Sequence, residues 1–224
     1  MTTFATKHTN VQYERELSEV KENIVYAGML TEKAIEKCIK ALLERNSSLA
    51  NEVIKEDANI DAIDMKIEEQ CINILALRQP TARDLRFITT AIKINGHLER
   101  IGDMASNIAR KVIILNEEPQ LKPYIDIPRM AQATRKMIRD GLDAFMNGDM
   151  ELAREVREAD EIIDSLNEQI FRELLTFMIQ DPRTIHRAII ISQVSKNLER
   201  IADHAKSVAD MVIYMVTGQN VRHE

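Results

Sequence analysis

One octapeptide occurs twice in this chain, a hundred residues apart. Leu98-Glu99-Arg100-Ile101-Gly102-Asp103-Met104-Ala105 returns as Leu198-Glu199-Arg200-Ile201-Ala202-Asp203-His204-Ala205. Across 98–113, nine of sixteen aligned positions are identical, more than shared helix composition supplies. A second block repeats at a slightly larger offset. Leu49-Ala50-Asn51-Glu52-Val53 resembles Leu152-Ala153-Arg154-Glu155-Val156, and Asp57 and Asp61 correspond to Asp160 and Asp164. The offset changes near Pro80 and Pro182. In a chain of 224 residues, a repeat this long leaves room for two similar halves and little else.

The halves read as helical. Aromatics are only 4% and tryptophan is absent, which starves a sheet of its preferred residues. All five prolines fall where a helix must stop, because proline lacks the N–H and clashes with the preceding turn. The spacing predicts six helices, near 13–45, 49–78, 81–116, 127–146, 149–179 and 182–217. Asn46-Ser47-Ser48 and Asn147-Gly148-Asp149 supply turn chemistry. Thr81 is expected to cap the third helix with Asp84 in the reciprocal position, and Asp181-Pro182 to open the sixth. In the third helix Phe87, Ala91, Ile94, Leu98, Ile101, Ala105, Ile108, Val112 and Leu115 recur by fours and threes, a bundle seam. Ile191, Val194, Leu198, Ile201, Ala205, Val208, Val212 and Met215 repeat it in the sixth. The expected architecture is all-α: two tandem antiparallel three-helix bundles related by internal duplication. They occupy 13–117 and 127–217, with a Pro-rich linker at 118–126, a flexible N-terminus at 1–12 and a C-terminal tail at 218–224.

Charge and cysteine narrow the function. A net charge of -6 argues against a general nucleic-acid binder, which needs a basic face for phosphates. Cys38 and Cys71 have no C-x-x-C spacing and sit singly on apolar faces, so they read as buried thiols of a cytoplasmic protein. The first residues lack an apolar signal core, and no apolar run reaches the ~18 residues of a membrane span. The sequence holds no G-x-x-x-x-G-K-[ST], G-x-G-x-x-G or G-x-S-x-G, and no Glu-x-x-His of the di-iron type.

The repeated motif carries the chemistry. Glu99, Asp103 and Asn107 are spaced by four, which sets three oxygen donors in a row on one helix face. Carboxylate and amide oxygens suit hard cations. The second copy offers Glu199 and Asp203 but Ser207 for the amide, so it should bind more weakly or be completed differently. Two readings stay open at this level: a cation site, or a solvated acidic face in which Arg100 and Arg200 pair with carboxylates of neighbouring helices. A second acidic set, Asp57, Asp61 and Asp64, is echoed by Asp160 and Asp164. It either faces the row across a helix pair or consists of helix-start acids that favour the dipole, and the second reading is preferred here.

With these residues in view, the chain resembles the PhoU family. The resemblance spans about 13–217 and rests on the tandem three-helix organisation and the two motifs, Glu99 to Asn107 and Glu199 to Ser207. It implies a cytoplasmic adaptor and not an enzyme, one that restrains the phosphate-starvation response and modulates phosphate uptake. The implied partners are the ATPase subunit of the phosphate ABC transporter and the phosphate-sensing histidine kinase. Association with the inner membrane would be peripheral, through those partners, and homodimers are common in the family. Iron or zinc held by the motif carboxylates is implied as well. Two other classes compete: a metal-binding storage or buffer protein, and a metal-dependent phosphate-handling enzyme.

Overall fold

The computed structural model of the protein describes residues 11–219. The expected flexible start at 1–12 lies outside them except for Val11 and Gln12, which open the first helix. The expected tail lies outside from residue 220 onward. The chain forms α1 (Val11–Glu44), α2 (Ser47–Arg78), α3 (Ala82–Asn116), α4 (Asp126–Asn147), α5 (Met150–Gln180) and α6 (Ile185–Thr217), with a single 3₁₀ turn at Pro182–Thr184 before α6.

Local chemistry sets the helix ends. Asn46 accepts from the Leu49 N–H and Asp149 from those of Glu151 and Leu152. Gly148 ends α4 at φ 63°, a left-handed conformation that favours glycine. Asp181 accepts from the Arg183 N–H as expected, but the turn it opens is 3₁₀, and α6 proper begins three residues later. Thr81 departs from expectation. It precedes α3 without a side-chain cap bond; its hydroxyl points to Asp84 Oδ2 at 3.5 Å, and this buried carboxylate also accepts from the Tyr13 hydroxyl of α1 at 3.1 Å.

Each half is an antiparallel three-helix bundle, α1–α3 and α4–α6, and the two share one core. α3 packs on α6 and α1 packs on α4, which closes a ring of four helices; α2 covers α1 and α3, and α5 covers α4 and α6. The seam residues of α3 and α6 are buried, Phe87 only in part; its ring stacks on Phe145 of α4 at 5.4 Å. Fully burying one leucine or isoleucine contributes about 1.5–3 kcal/mol, so these seams dominate the fold's stability. Both cysteines are buried, and burial pushes the Cys71 thiol up to about 12. The Pro-rich segment is tied down: Lys122 and Tyr124 are buried, and the Lys122 ammonium pairs with Glu173 of α5.

α3 and α6 run in opposite directions. His97 meets His204, and Arg86 donates to the Met215 carbonyl. Eleven residues back along α3 is therefore eleven forward along α6. The two copies of the motif cross near their middles, with their outer faces turned toward α2 and α5 respectively.

The α1–α4 seam depends on close approach. A Cβ added at Gly28 would lie 2.0 Å from Leu142 Cδ1, and Glu36 on α1 meets Arg135 on α4 at 2.7 Å. Gly28→Ala should favour the isolated helix by roughly 1 kcal/mol. Here it forces Leu142 against a packed core at a cost of about 1–3 kcal/mol. The expected result is net destabilisation, read as a lower urea midpoint by far-UV circular dichroism. A raised midpoint would contradict this packing.

Candidate functional site

The acidic row of α3 does not stand alone. Asp57, Asp61 and Asp64 lie along α2, the helix that covers it. Asp57 occupies the same stripe as buried Ala50, Val53 and Ile60, which turns it inward, and its carboxyl lies beside Gly102 of α3. A Cβ at Gly102 would meet Asp57 Oδ1 at 3.3 Å and Ile60 Cδ1 at 2.8 Å. The helix-start reading of these aspartates is therefore overturned. α2 begins at Ser47 with no acid in its first turn, and Asp57 sits too far along the helix to serve its dipole.

The five carboxylates Asp57, Asp61, Asp64, Glu99 and Asp103 form one electrostatic cluster. Burial raises Asp57, the Ser106 hydroxyl beside it pulls it back, and Asp103 and Asp61 raise it further. Glu99 is raised by burial, then by Asp103 and Asp64; Arg100 offsets only part of this. Asp64 is raised by burial, Glu68 and Asp61, and accepts from Asn95 at 2.7 Å. The Asn107 amide oxygen accepts from Arg110 at 2.7 Å. None of the five makes an ion pair.

The second half differs in kind. Asp160, the counterpart of Asp57, is buried and accepts from the Lys206 ammonium at 2.6 Å. Glu199 pairs with Lys196. Asp164 and Asp203 are raised by burial and by their acidic neighbours, Asp160 and Glu199 among them, and both feel the lowering pull of Lys196. The repeat alignment places Gly96 opposite Lys196, Ser106 opposite Lys206 and Asp64 opposite Asn167. Each difference removes negative charge from the second face. Two lysines, more than Ser207, set the second face apart from the first. Both lysines stand in the sequence as differences between the repeats, Gly96 against Lys196 and Ser106 against Lys206.

The reading in which Arg100 and Arg200 pair with carboxylates also fails. Both are exposed, and neither makes an ion pair.

The donor set of the first half is all oxygen, which suits a hard cation. Among the described residues, however, no three His, Cys, Asp or Glu side chains converge as a ready coordination set. In the second half ammonium groups already hold two of the carboxylates. Neither half is a preformed metal centre.

Fold and site together define a duplicated helical-bundle protein with two unequal acidic faces at its repeated motif. The PhoU domain family matches this chain twice, over 25–112 and 127–212, and the chain belongs to that family. A relative from Pseudomonas putida, described as a phosphate-specific transport system accessory protein PhoU homolog, is 41% identical over 97% of this chain and 86% of its own length. An Aquifex aeolicus relative of the same description is 45% identical over 94% of this chain and 95% of its own. The crystal structure of PhoU from Pseudomonas aeruginosa superposes with a TM-score of 0.88 at 39% identity, over 92% of this chain and 100% of that one.

The two faces should respond oppositely to neutralisation. A carboxyl raised in the native state binds its proton there up to a higher pH than in the unfolded chain. Stability therefore falls as pH rises through that window and returns on acidification. Glu99→Gln is expected to raise the urea midpoint near neutral pH, by roughly 1 kcal/mol from three like-charged neighbours at about 0.2–0.5 each. The gain should shrink toward about pH 4, where the ordinary glutamate titrates. Lys206→Ala strands a buried carboxylate and should cost on the order of 2 kcal/mol, less than a fully buried pair because the ammonium is 40% exposed. Equal effects in the two halves would contradict the asymmetry.

Proposed function

We propose that this protein is a phosphate-responsive regulatory adaptor. It restrains the phosphate-starvation response and modulates phosphate uptake by binding the ATPase subunit of the phosphate ABC transporter and the phosphate-sensing histidine kinase. The observation that carries this reading is the pairing of a rigid shared core with two related but unequally charged faces, in a chain whose relatives are named as accessory proteins of phosphate transport. The face of α2 and α3 is the one offered to a basic partner surface, because Arg100 and Arg110 act on its carboxylates only at a distance and none of them is held in an ion pair. The face of α5 and α6 is largely self-neutralised and suits a different partner. Two unlike faces on one body let the state of one partner be felt by another, which requires differential affinity for two partner states.

The chemistry is that of binding, with no catalytic step. We assign the protein to the cytoplasm, where both proposed partners present their soluble surfaces; no helix among the described residues is long and apolar enough to cross a membrane. A homodimer is part of the proposal and draws on exposed apolar side chains along α5, namely Phe171, Leu175 and Ile179. To hold an iron or zinc ion on the first face, Glu99, Asp103, Asp57 and Asp61 would have to close in around it. There it would neutralise the cluster and mask it from a basic partner.

Glu99→Ala combined with Asp103→Ala tests the adaptor reading. The double variant is expected to keep its helical signal, to weaken capture of the ATPase subunit or the kinase at least tenfold, and to release a phosphate-regulated reporter under phosphate-replete conditions. A reporter that stays repressed, with partner capture unchanged, would overturn the assignment of this face.

A further inference from the structure

A second charged site lies where the two motifs cross, beside the acidic row on each helix. His97 of α3 and His204 of α6 meet with Nδ1 atoms 2.7 Å apart and ring centroids 5.0 Å apart. They are not counterparts in the repeat, since position 197 is asparagine and position 104 is methionine. The antiparallel crossing of α3 and α6 brings them together. Arg100 follows His97 by three residues and Arg200 precedes His204 by four, so each arginine shares a helix face with the histidine of its own helix. Because α3 and α6 are antiparallel, three residues forward on one are matched by about three back on the other, so Arg100 and Arg200 lie level with each other on the same side of the imidazole pair.

These two arginines are unlike the rest. Every other arginine among the described residues, Arg83 aside, makes a hydrogen bond or an ion pair, whether to a carboxylate, a backbone carbonyl or an amide oxygen. Arg100 and Arg200 make none, although acidic side chains are abundant on the same helices. Holding two guanidinium groups beside a half-buried imidazole pair is electrostatically unfavourable. Both arginines, together with burial, which is the larger cause, hold His204 below its ordinary range. An anion placed between them would remove that penalty. Guanidinium groups match tetrahedral oxyanions through paired N–H donors. In the Nδ1–Nδ1 contact one ring donates and the other accepts, so the accepting ring carries its proton on Nε2 as a further donor.

We propose that Arg100, Arg200 and the His97–His204 pair form a binding site for a phosphate-type oxyanion at the junction of the two halves. The site draws one arginine and one histidine from each repeat, so its occupancy is felt by α3 and α6 together. The ligand is either free inorganic phosphate or a phosphoryl group carried by another molecule, and the chemistry of recognition is shared. The proposal stands on the α3–α6 crossing and does not depend on the adaptor reading.

The test is a titration of the full chain, with labelled histidines followed by NMR, against inorganic phosphate and in parallel against phenyl phosphate. Sodium chloride of equal ionic strength is the control, and His97→Gln and His204→Gln assign the two signals. Saturable shifts of the His97 and His204 resonances are expected with phosphate and not with chloride. Arg100→Gln combined with Arg200→Gln should weaken that saturation at least tenfold. Tighter binding of inorganic phosphate supports a free-phosphate site, tighter binding of phenyl phosphate a carried phosphoryl group, and equal binding a site that reads the phosphoryl group alone. If the double glutamine variant loses its helical signal, Arg100→Lys with Arg200→Lys replaces it. This pair keeps the charge and loses the fork, and a several-fold weakening is then expected. Shifts no larger than those with chloride, or saturation unchanged in the arginine variants, would overturn the proposal.

Discussion

The antiparallel packing of α3 against α6 is the interaction on which the rest of the molecule depends. Each of these helices carries one copy of the repeated motif, and their apolar seams bury Leu98, Ile101, Leu198 and Ile201 completely or nearly so. Once the seams are buried, helical periodicity disposes of every other motif residue. Glu99 and Asp103 are turned toward α2, Glu199 and Asp203 toward α5, and the arginines between them outward beside the crossing. The fold thus converts one repeated octapeptide into three chemically distinct surfaces.

Duplication also explains how those surfaces came to differ. A carboxylate half-buried against an apolar stripe costs free energy unless a counter-charge meets it. The second half meets Asp160 with Lys206 and Glu199 with Lys196. The first half leaves Asp57 without an ion pair, with the Ser106 hydroxyl beside it and Arg110 acting from farther away, and keeps the repulsion among its acids. A structural role would favour neutralisation in both halves. Retained, uncompensated charge on one face is what a binding surface for an external cation or basic partner requires, and the cost in stability is the price of that readiness.

Much of this was legible in the sequence, for physical reasons. The helices and their ends follow from 3.6-residue periodicity, proline and a few capping side chains; their observed bounds fall within two residues of those expected except at the start of α6, which comes three residues later. The seam residues were readable because burial selects apolar side chains at fixed spacing. Thr81 was misread because capping is a local rule, whereas Asp84 is claimed by Tyr13, seventy-one residues away. The aspartates of α2 were misread for a similar reason: nothing local separates a helix-start acid from one facing a neighbour. The His97–His204 pair was invisible, because two unlike positions of a repeat meet only when the copies run antiparallel. Lys196 and Lys206 were present in the sequence throughout. Their meaning appears only when differences between the repeats are read alongside identities.

The central claim is that the first acidic face acts because it lacks the lysine its counterpart carries. Ser106→Lys places on α3 the residue type that the second half uses at the same position, where it can reach Asp57 as Lys206 reaches Asp160. Affinity of this variant for the transporter ATPase subunit and for the kinase, measured beside its urea midpoint, addresses the claim directly. The account requires a more stable protein that binds at least one of the two partners much more weakly. A stabilised variant with unchanged affinity for both would contradict it.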